Sequence, residues 1–382
     1  MKRAQISEDL VGKRLTTEIR IESDQTNVLY KLRLPEGKKL TTKDIHYLQN
    51  TNLEFVCIKD KASSDFTHKF DIENISEIHD ETVQILDKSV NDILDQDHDK
   101  AHDLRNLETL HQQIKKLIDA IKKTDYLRSF SLLRHHDDHT AQHSFDVCKL
   151  ALEFAIEQRD FFLETLEEEN GQTNYEFLDP IREMGLGALL HDIGKWTVSK
   201  EALTKSDQLS DHEWAEIEEH PIRGYELLKN LDEVVSRPVL LSTLDHHETY
   251  DGFGYPLKKS GRQIHLFGRI IKVVDVYSAL TSNRPYSVGV SPKRAKQEMQ
   301  FMQNKEKLHF DPKIFSKFME MIPPYPIGQR VILSDGSMGV VVDYDPDEWN
   351  QPWINILNSS SNRFERNQTI QANTVDTPSI VN

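Results

Sequence analysis

Cysteine is scarce in this chain. Cys57 and Cys148 are the only two thiols in 382 residues, which excludes a disulfide framework or a cysteine-based zinc site. Both lie in apolar-periodic runs, LEFVCI and FDVCKLALEFA, and read as small core residues. No stretch of about 18 consecutive apolar residues is present, so no membrane span is expected. The polar opening MKRAQISEDL lacks the hydrophobic region of a signal peptide, and a cytoplasmic protein is the expectation. Positive charge is in deficit, with 47 Lys and Arg against 63 Asp and Glu for a net charge of −16. That balance disfavours broad adhesion to nucleic-acid polymers or anionic lipid, but leaves room for a local basic pocket and a small phosphorylated substrate. Fixed-period repeats and low-complexity tracts are also lacking.

At roughly 150 residues per domain, the length suits two or three domains. Residues 1–70 read as a small α+β module, with strands in LTTEIRI, VLYKLRL and LEFVCI and a helix in TTKDIHYLQ. Residues 71–125 become charged and helical, with apolar residues at three- and four-residue spacing in ILDKSVNDIL and LETLHQQIKKLIDAIKK. A helical connector is expected there, with a homodimer forming through its apolar stripe. Residues 126–322 have helical periodicity almost throughout. After Pro323-Pro324 the alternation in QRVILS, MGVVVDY and WINIL, with an Asp335-Gly336 turn, predicts a small β-rich module over 323–382. Its polar tail beyond about Gln368 is expected to be loose. The expected fold is therefore multidomain, an all-α block flanked by a small N-terminal α+β module and a small C-terminal β module.

The chemistry-bearing residues fall in the all-α block. His143 is followed by Val147, Leu150 and Phe154 at helical intervals, which places an imidazole on a core-facing stripe. His191 and Asp192 interrupt the apolar run around Met184, Leu186, Leu189, Leu190 and Ile193, where an unpaired charge would be costly and a metal would offset the cost. His220, at the end of a charged helix, and His246-His247, after Val239, Leu240, Leu241 and Leu244, add imidazoles at helix ends. Asp275 breaks the run RIIKVVDVYSAL, so it is either a ligand or tightly hydrogen-bonded. Each histidine alone reads as a structural residue; the joint pattern reads as a site for first-row divalent metals. Lys195, one turn beyond His191, could reach a substrate phosphate or be a solvated lysine at a helix end. The loop Asp251-Gly252-Phe253-Gly254-Tyr255-Pro256 has glycines that permit positive φ and a proline that stiffens its exit. A nucleotide-triphosphate loop at Gly194-Lys195 is rejected, because no glycine stands five residues before Gly194 and Trp196 replaces the required Ser or Thr.

HDIGK, HHETYDGFGYP, VVDVYSALTSNRPY and the later Phe310-Asp311-Pro312 together resemble the HD-GYP subgroup of the HD phosphohydrolase superfamily, over about residues 126–322. The resemblance implies an all-helical domain that hydrolyses the bacterial messenger cyclic di-GMP to pGpG or GMP. It implies His143, His191, Asp192, His220, His246, His247 and Asp275 as metal ligands, with Asp192 bridging two divalent ions, iron or manganese. Attack by a metal-bridging hydroxide would follow, with Asp192 and Lys195 as catalytic residues and Lys195 on a phosphate oxygen. Tyr255, Pro256 and Arg284 would shape the nucleotide pocket, Arg284 by hydrogen bonds to guanine or phosphate.

Two positions depart from the family pattern. His139 stands where members with a third metal carry a glutamate, leaving a third ion open and a two-metal site preferred. Ser287 follows Tyr286 where another basic residue commonly helps hold the dinucleotide. The alternatives are a phosphohydrolase for another cyclic dinucleotide or nucleotide, and a non-catalytic cyclic di-GMP receptor. No phosphoacceptor or diguanylate-cyclase block identifies a sensory input.

Overall fold

The computed structural model describes residues 2–5, 19–22, 31–34, 40, 55–58, 72–94, 100–123, 140–170, 179–205, 209–231, 235–282, 289–305, 308–326, 329–344, 350–358, 363–374 and 378–381. The chain divides into two compact units, one of residues 1–72, 131–136 and 327–382, the other of residues 73–130 and 137–326.

The larger unit is helical. It opens with the long helices α1 (Ile72–Leu94) and α2 (Lys100–Lys123). They run as an antiparallel hairpin, pinned by Asn106 donating to Asp92 (2.9 Å) at one end and Lys116 to Glu81 (3.0 Å) at the other. The apolar stripe expected of this connector exists, but Leu107, Leu110, Ile114 and Leu117 are buried within the chain, where α2 packs against later helices.

Those helices are α3 (Thr140–Glu157), α4 (Arg159–Asn170), α5 (Pro180–Leu190), α6 (Lys200–Thr204), α7 (Asp211–Glu218), α8 (His220–Lys229), α9 (Arg237–Asp245), α10 (Leu266–Thr281), α11 (Pro292–Lys305) and α12 (Pro312–Met321). Their starts follow capping rules. Asp179 accepts from Ile181 N–H ahead of Pro180 at the start of α5; Ser210 and Glu213 form a reciprocal box on α7; Asp311 accepts from Lys313 and Ile314 N–H on α12. Each such cap stabilises a helix by about 1 kcal/mol. α10 is central, with Ile270, Ile271, Val273, Val274 and Tyr277 buried against α3, α5, α9, α11 and α12. One charged clamp crosses this core: buried Arg269 donates to Asp311 and to Glu169 on α4.

At Gly185, in the middle of α5, an added Cβ would lie 2.9 Å from both Ile114 Cγ2 of α2 and Leu152 Cδ2 of α3. The backbone of α5 therefore rests directly on the Ile114 and Leu152 side chains of its two neighbours, and its far end delivers His191 and Asp192.

In the smaller unit β1 (Lys2–Gln5) pairs antiparallel with β4 (Phe55–Ile58), and β2 (Ile19–Glu22) with β3 (Lys31–Leu34). The expected helix TTKDIHYLQ lies outside the described residues. The C-terminal part is an antiparallel meander of β5 (Arg330–Ile332), β6 (Met338–Asp343), β7 (Trp353–Asn358) and β8 (Arg363–Gln371), in sequence order. Its first turn is the expected one, Gly336 taking φ +84°. The expectation of a loose tail is corrected. β8 continues to Gln371 with Ile370 opposite Ile354, and buried Ile380 bridges Leu333, so backbone pairing and apolar burial tie down a polar segment.

Candidate metal centre

Five segments converge on Asp192, whose side chain is fully buried. Its Oδ1 lies 3.2 Å from His220 Nε2 and 3.5 Å from His246 Nε2. Its Oδ2 lies 3.3 Å from His191 Nε2 and 3.9 Å from His143 Nε2. Beside His143, Asp275 Oδ1 approaches its Nε2 to 2.9 Å. The ligand-type residues thus form two groups, Asp192 with His220, His246 and His247, and His143 with His191 and Asp275; within each, the donor atoms lie within 4.8 Å of one another. One carboxylate offers an oxygen to each group.

Local structure fixes which nitrogen of three imidazoles faces inward. His191 Nδ1 meets the carbonyl of Ala188 (2.7 Å), His220 Nδ1 that of Ile217 (2.6 Å), and His246 Nδ1 that of Thr243 (2.8 Å). Each carbonyl accepts an Nδ1–H and leaves the lone pair on Nε2, aimed at Asp192. His143 is oriented differently, its Nδ1 lying 3.4 Å from Ser278 Oγ.

This donor set fits divalent cations. His220 Nε2 and His246 Nε2 are 3.1 Å apart, both bearing lone pairs in that tautomer. Such a contact is repulsive without a cation, and is close to the spacing of two nitrogens each ~2.1 Å from one ion at a right angle. His191 Nε2 and Asp192 Oδ1 are buried with no hydrogen-bond partner, as ligand atoms awaiting a metal would be.

The electrostatics agree. Burial pushes His246 down to about 4 and His247 well below the usual imidazole value, so both are neutral, the form that ligates. Burial would raise the Asp192 carboxyl, but His191, Lys195 and His220 outweigh it and hold it well below the carboxylate range. Burial likewise opposes charge on His191, yet the Asp192 carboxylate pulls its pKa upward, an attraction that serves a metal cation as well as a proton.

The other expected site residues are placed as follows. Lys195, on the 3₁₀ turn Ile193–Thr197 after α5, donates to Asp192 Oδ2 at 2.6 Å. Tyr255 stacks on His247, with ring centroids 4.7 Å apart and planes 21° from parallel, and Pro256 follows it through a cis peptide. Arg284, His139 and Ser287 lie outside the described residues. The 3₁₀ turn sits hard against α8, for a Cβ at Gly194 would fall 2.0 Å from His220 O and one at Gly224 3.1 Å from Gly194 N. Arg223 braces the same turn by donating to Thr197 O (3.0 Å).

Five neighbours were not expected from the sequence. Ser278 beside His143 sits three residues after Asp275 on the same helix face, a spacing that could have revealed it. Asp245 and Glu248 flank the histidine pair and are buried, and Lys259 donates to Asp245 (2.6 Å). An acid closing the apolar run of α9 is the signal Asp245 offered. His265 N-caps α10 by accepting from Phe267 N–H.

Residues 178–314 match the HD domain family model. Among curated proteins the chain is 35% identical over 225 residues to the cyclic di-GMP phosphodiesterase PA4108 of Pseudomonas aeruginosa, covering 59% of this chain and 49% of that one. It is 40% identical over 108 residues to the cyclic di-GMP phosphodiesterase response regulator RpfG of Xanthomonas campestris pv. campestris, covering 28% and 29%. It is 34% identical over 141 residues to the 3'3'-cGAMP-specific phosphodiesterase 3 of Vibrio cholerae, covering 36% and 29%. The chain thus spans about half the length of the first relative and less than a third of the other two. The chain thus carries an HD domain over residues 178–314, built around the two-group centre of His191, Asp192 and their partners with the glycine-rich loop beside it.

Proposed function

We propose that this protein is a metal-dependent phosphodiesterase that opens cyclic di-GMP to pGpG, to GMP, or to both. The observation that carries the reading is Asp192, which presents one oxygen to each of two ligand groups while Lys195 stands on its Oδ2. His143, His191 and Asp275 would hold one divalent ion, His220, His246 and His247 the other, and Asp192 both. Iron or manganese suits these ligands. The bound ions supply Lewis acidity towards the phosphoryl oxygens and a nucleophile usable at neutral pH. Lys195 neutralises charge gathering on a phosphate oxygen, an ammonium poised at the edge of a buried site where its field is little screened. Tyr255 and Pro256 line the nucleotide side, with Arg284 assigned there from its place in the sequence motif.

The test is an anaerobic turnover assay of iron- or manganese-loaded protein with cyclic di-GMP, resolving pGpG from GMP, alongside Asp192→Ala. Product that vanishes in the variant supports the reading; intact cyclic di-GMP despite confirmed metal occupancy sinks it. The kinship with a 3'3'-cGAMP-specific phosphodiesterase gives a second reading, another cyclic dinucleotide, which a substrate panel would favour by faster turnover of the mixed species. A non-catalytic receptor would instead bind ligand without turnover.

The proposal includes a cytoplasmic location; among the described residues no helix is long and apolar enough to cross a membrane. It also includes the modules at 1–70 and 323–382 as flanking parts and a homodimer through the connector. Such a dimer has to use faces of α1 and α2 other than the stripe buried in the chain. Light scattering that finds only monomer at high concentration removes the dimer.

A further inference from the structure

We propose that Asp245, Glu248 and Lys259 form a latch that holds the loop of residues 251–260 against the ligand pair His246-His247, and that this latch sets the grip on the dinucleotide. The inference rests on the phosphodiesterase reading above. Glu248 is 1% exposed, and its two oxygens accept from the backbone N–H groups of Leu257 (2.7 Å) and Lys259 (3.0 Å). Asp245 is fully buried and accepts from Lys259 Nζ (2.6 Å) and His265 N–H (2.9 Å). A buried carboxylate is tolerated only when its oxygens are satisfied, and here three of the four partners come from the far end of the loop, the fourth being His265 beyond it. Lys259 is thereby tied twice, by its backbone to Glu248 and by its side chain to Asp245.

The two carboxylates immediately flank the histidine pair, so ligands and loop are joined as one piece. The loop also lies close on its own stem, since a Cβ at Gly254 would meet Thr249 N at 2.4 Å. Apart from Tyr255 on His247, its large side chains pack little: Phe253 is 88% and Leu257 52% exposed. Polar ties therefore place Tyr255 over His247, and loosening them unpacks no core. A small phosphodiester that reaches only the metals should feel the latch less than a dinucleotide that also touches the loop.

The experiment compares wild type, Glu248→Gln and Lys259→Met, each manganese-loaded, on cyclic di-GMP and on bis(p-nitrophenyl) phosphate, with metal content and amide hydrogen exchange measured in parallel. Glu248→Gln would turn a side-chain NH2 towards a backbone N–H, donor against donor. Lys259→Met leaves Glu248 in place, and carries the test if the first variant does not fold. Expected are faster exchange at the Leu257 and Lys259 amides and an unchanged metal complement. The loss in kcat/KM on cyclic di-GMP should exceed that on the small diester by about tenfold, chiefly through KM. Equal losses on both substrates, metal content falling in step, or unchanged exchange would each overturn the latch. If wild type cleaves only the small diester, the cyclic di-GMP reading fails by itself. The latch is then judged by exchange at the Leu257 and Lys259 amides, faster in the variants if it holds and unchanged if it does not.

Discussion

At the residue scale, the candidate site turns on one carboxylate that faces two groups of ligand-type residues. Asp192→Ala should therefore empty both metal positions and cost more turnover than the roughly 10–100-fold typical of residues that only orient a ligand. Elemental analysis of the purified variant checks this, and retention of one full equivalent would show that the groups are independent. Ser278→Ala belongs in that lesser range, about a tenfold weaker hold on one ion, measured by competition with a chelator. Away from the centre, Glu153 on α3 is fully buried, 3.7 Å from Lys149, and burial pushes its pKa up to about 7. A carboxyl whose folded pKa lies above its unfolded value favours the fold while protonated. Its contribution is present below about pH 4.5 and is lost as pH rises to about 7, by at most ~3 kcal/mol. Glu153→Gln should flatten that part of the pH–stability curve, and an unchanged slope in chemical denaturation would count against it. Most of the candidate ligand residues were legible because they interrupt or close apolar helical runs, as Asp275 does among Ile270, Ile271, Val273 and Val274, whereas His220, at the end of a charged helix, stood out only in company with the others. Glu248 and Lys259 were not, since their partners are backbone amides and a carboxylate across a loop, which no local periodicity records.

At the element scale, helices and most strands could be read from their spacing, as in α5 within the apolar run around Met184 to Leu190 and in β6 within MGVVVDY. β1 and β8 escaped because KRAQ and RFERNQTIQ are polar, and their pairing partners, not their own pattern, make them strands. Backbone contact between elements was equally hidden. The 3₁₀ turn that carries Lys195 meets α8 glycine to backbone, so Gly194→Ala must displace either the turn or His220. The expected loss is about 3 kcal/mol or more of stability, with reduced metal content. Thermal unfolding and metal analysis check it, and a variant with wild-type values would mean that the turn tolerates a shift.

At the scale of the whole molecule, metal and fold should be linked. The native centre gathers imidazoles and a buried carboxylate that an unfolded chain keeps apart, so ions bind the folded state preferentially. Free metal at a thousandfold its dissociation constant would stabilise the protein by about 4 kcal/mol. Thermal midpoints should rise on anaerobic loading and fall with chelator; midpoints indifferent to both would argue against a native site. Gly185 has a consequence for communication. At Gly185 α5 puts no side chain of its own between its backbone and the side chains of Ile114 and Leu152, which leaves little slack to absorb a displacement of the α1–α2 hairpin. A push on α2 is therefore expected to travel as rigid motion along α5 and arrive six residues later at His191, making this thin point a mechanical relay from connector to chemistry. Gly185→Ala, which wedges a methyl group into the relay, should alter metal affinity from a position remote from every ligand; a wild-type chelator titration would show that the two ends move independently.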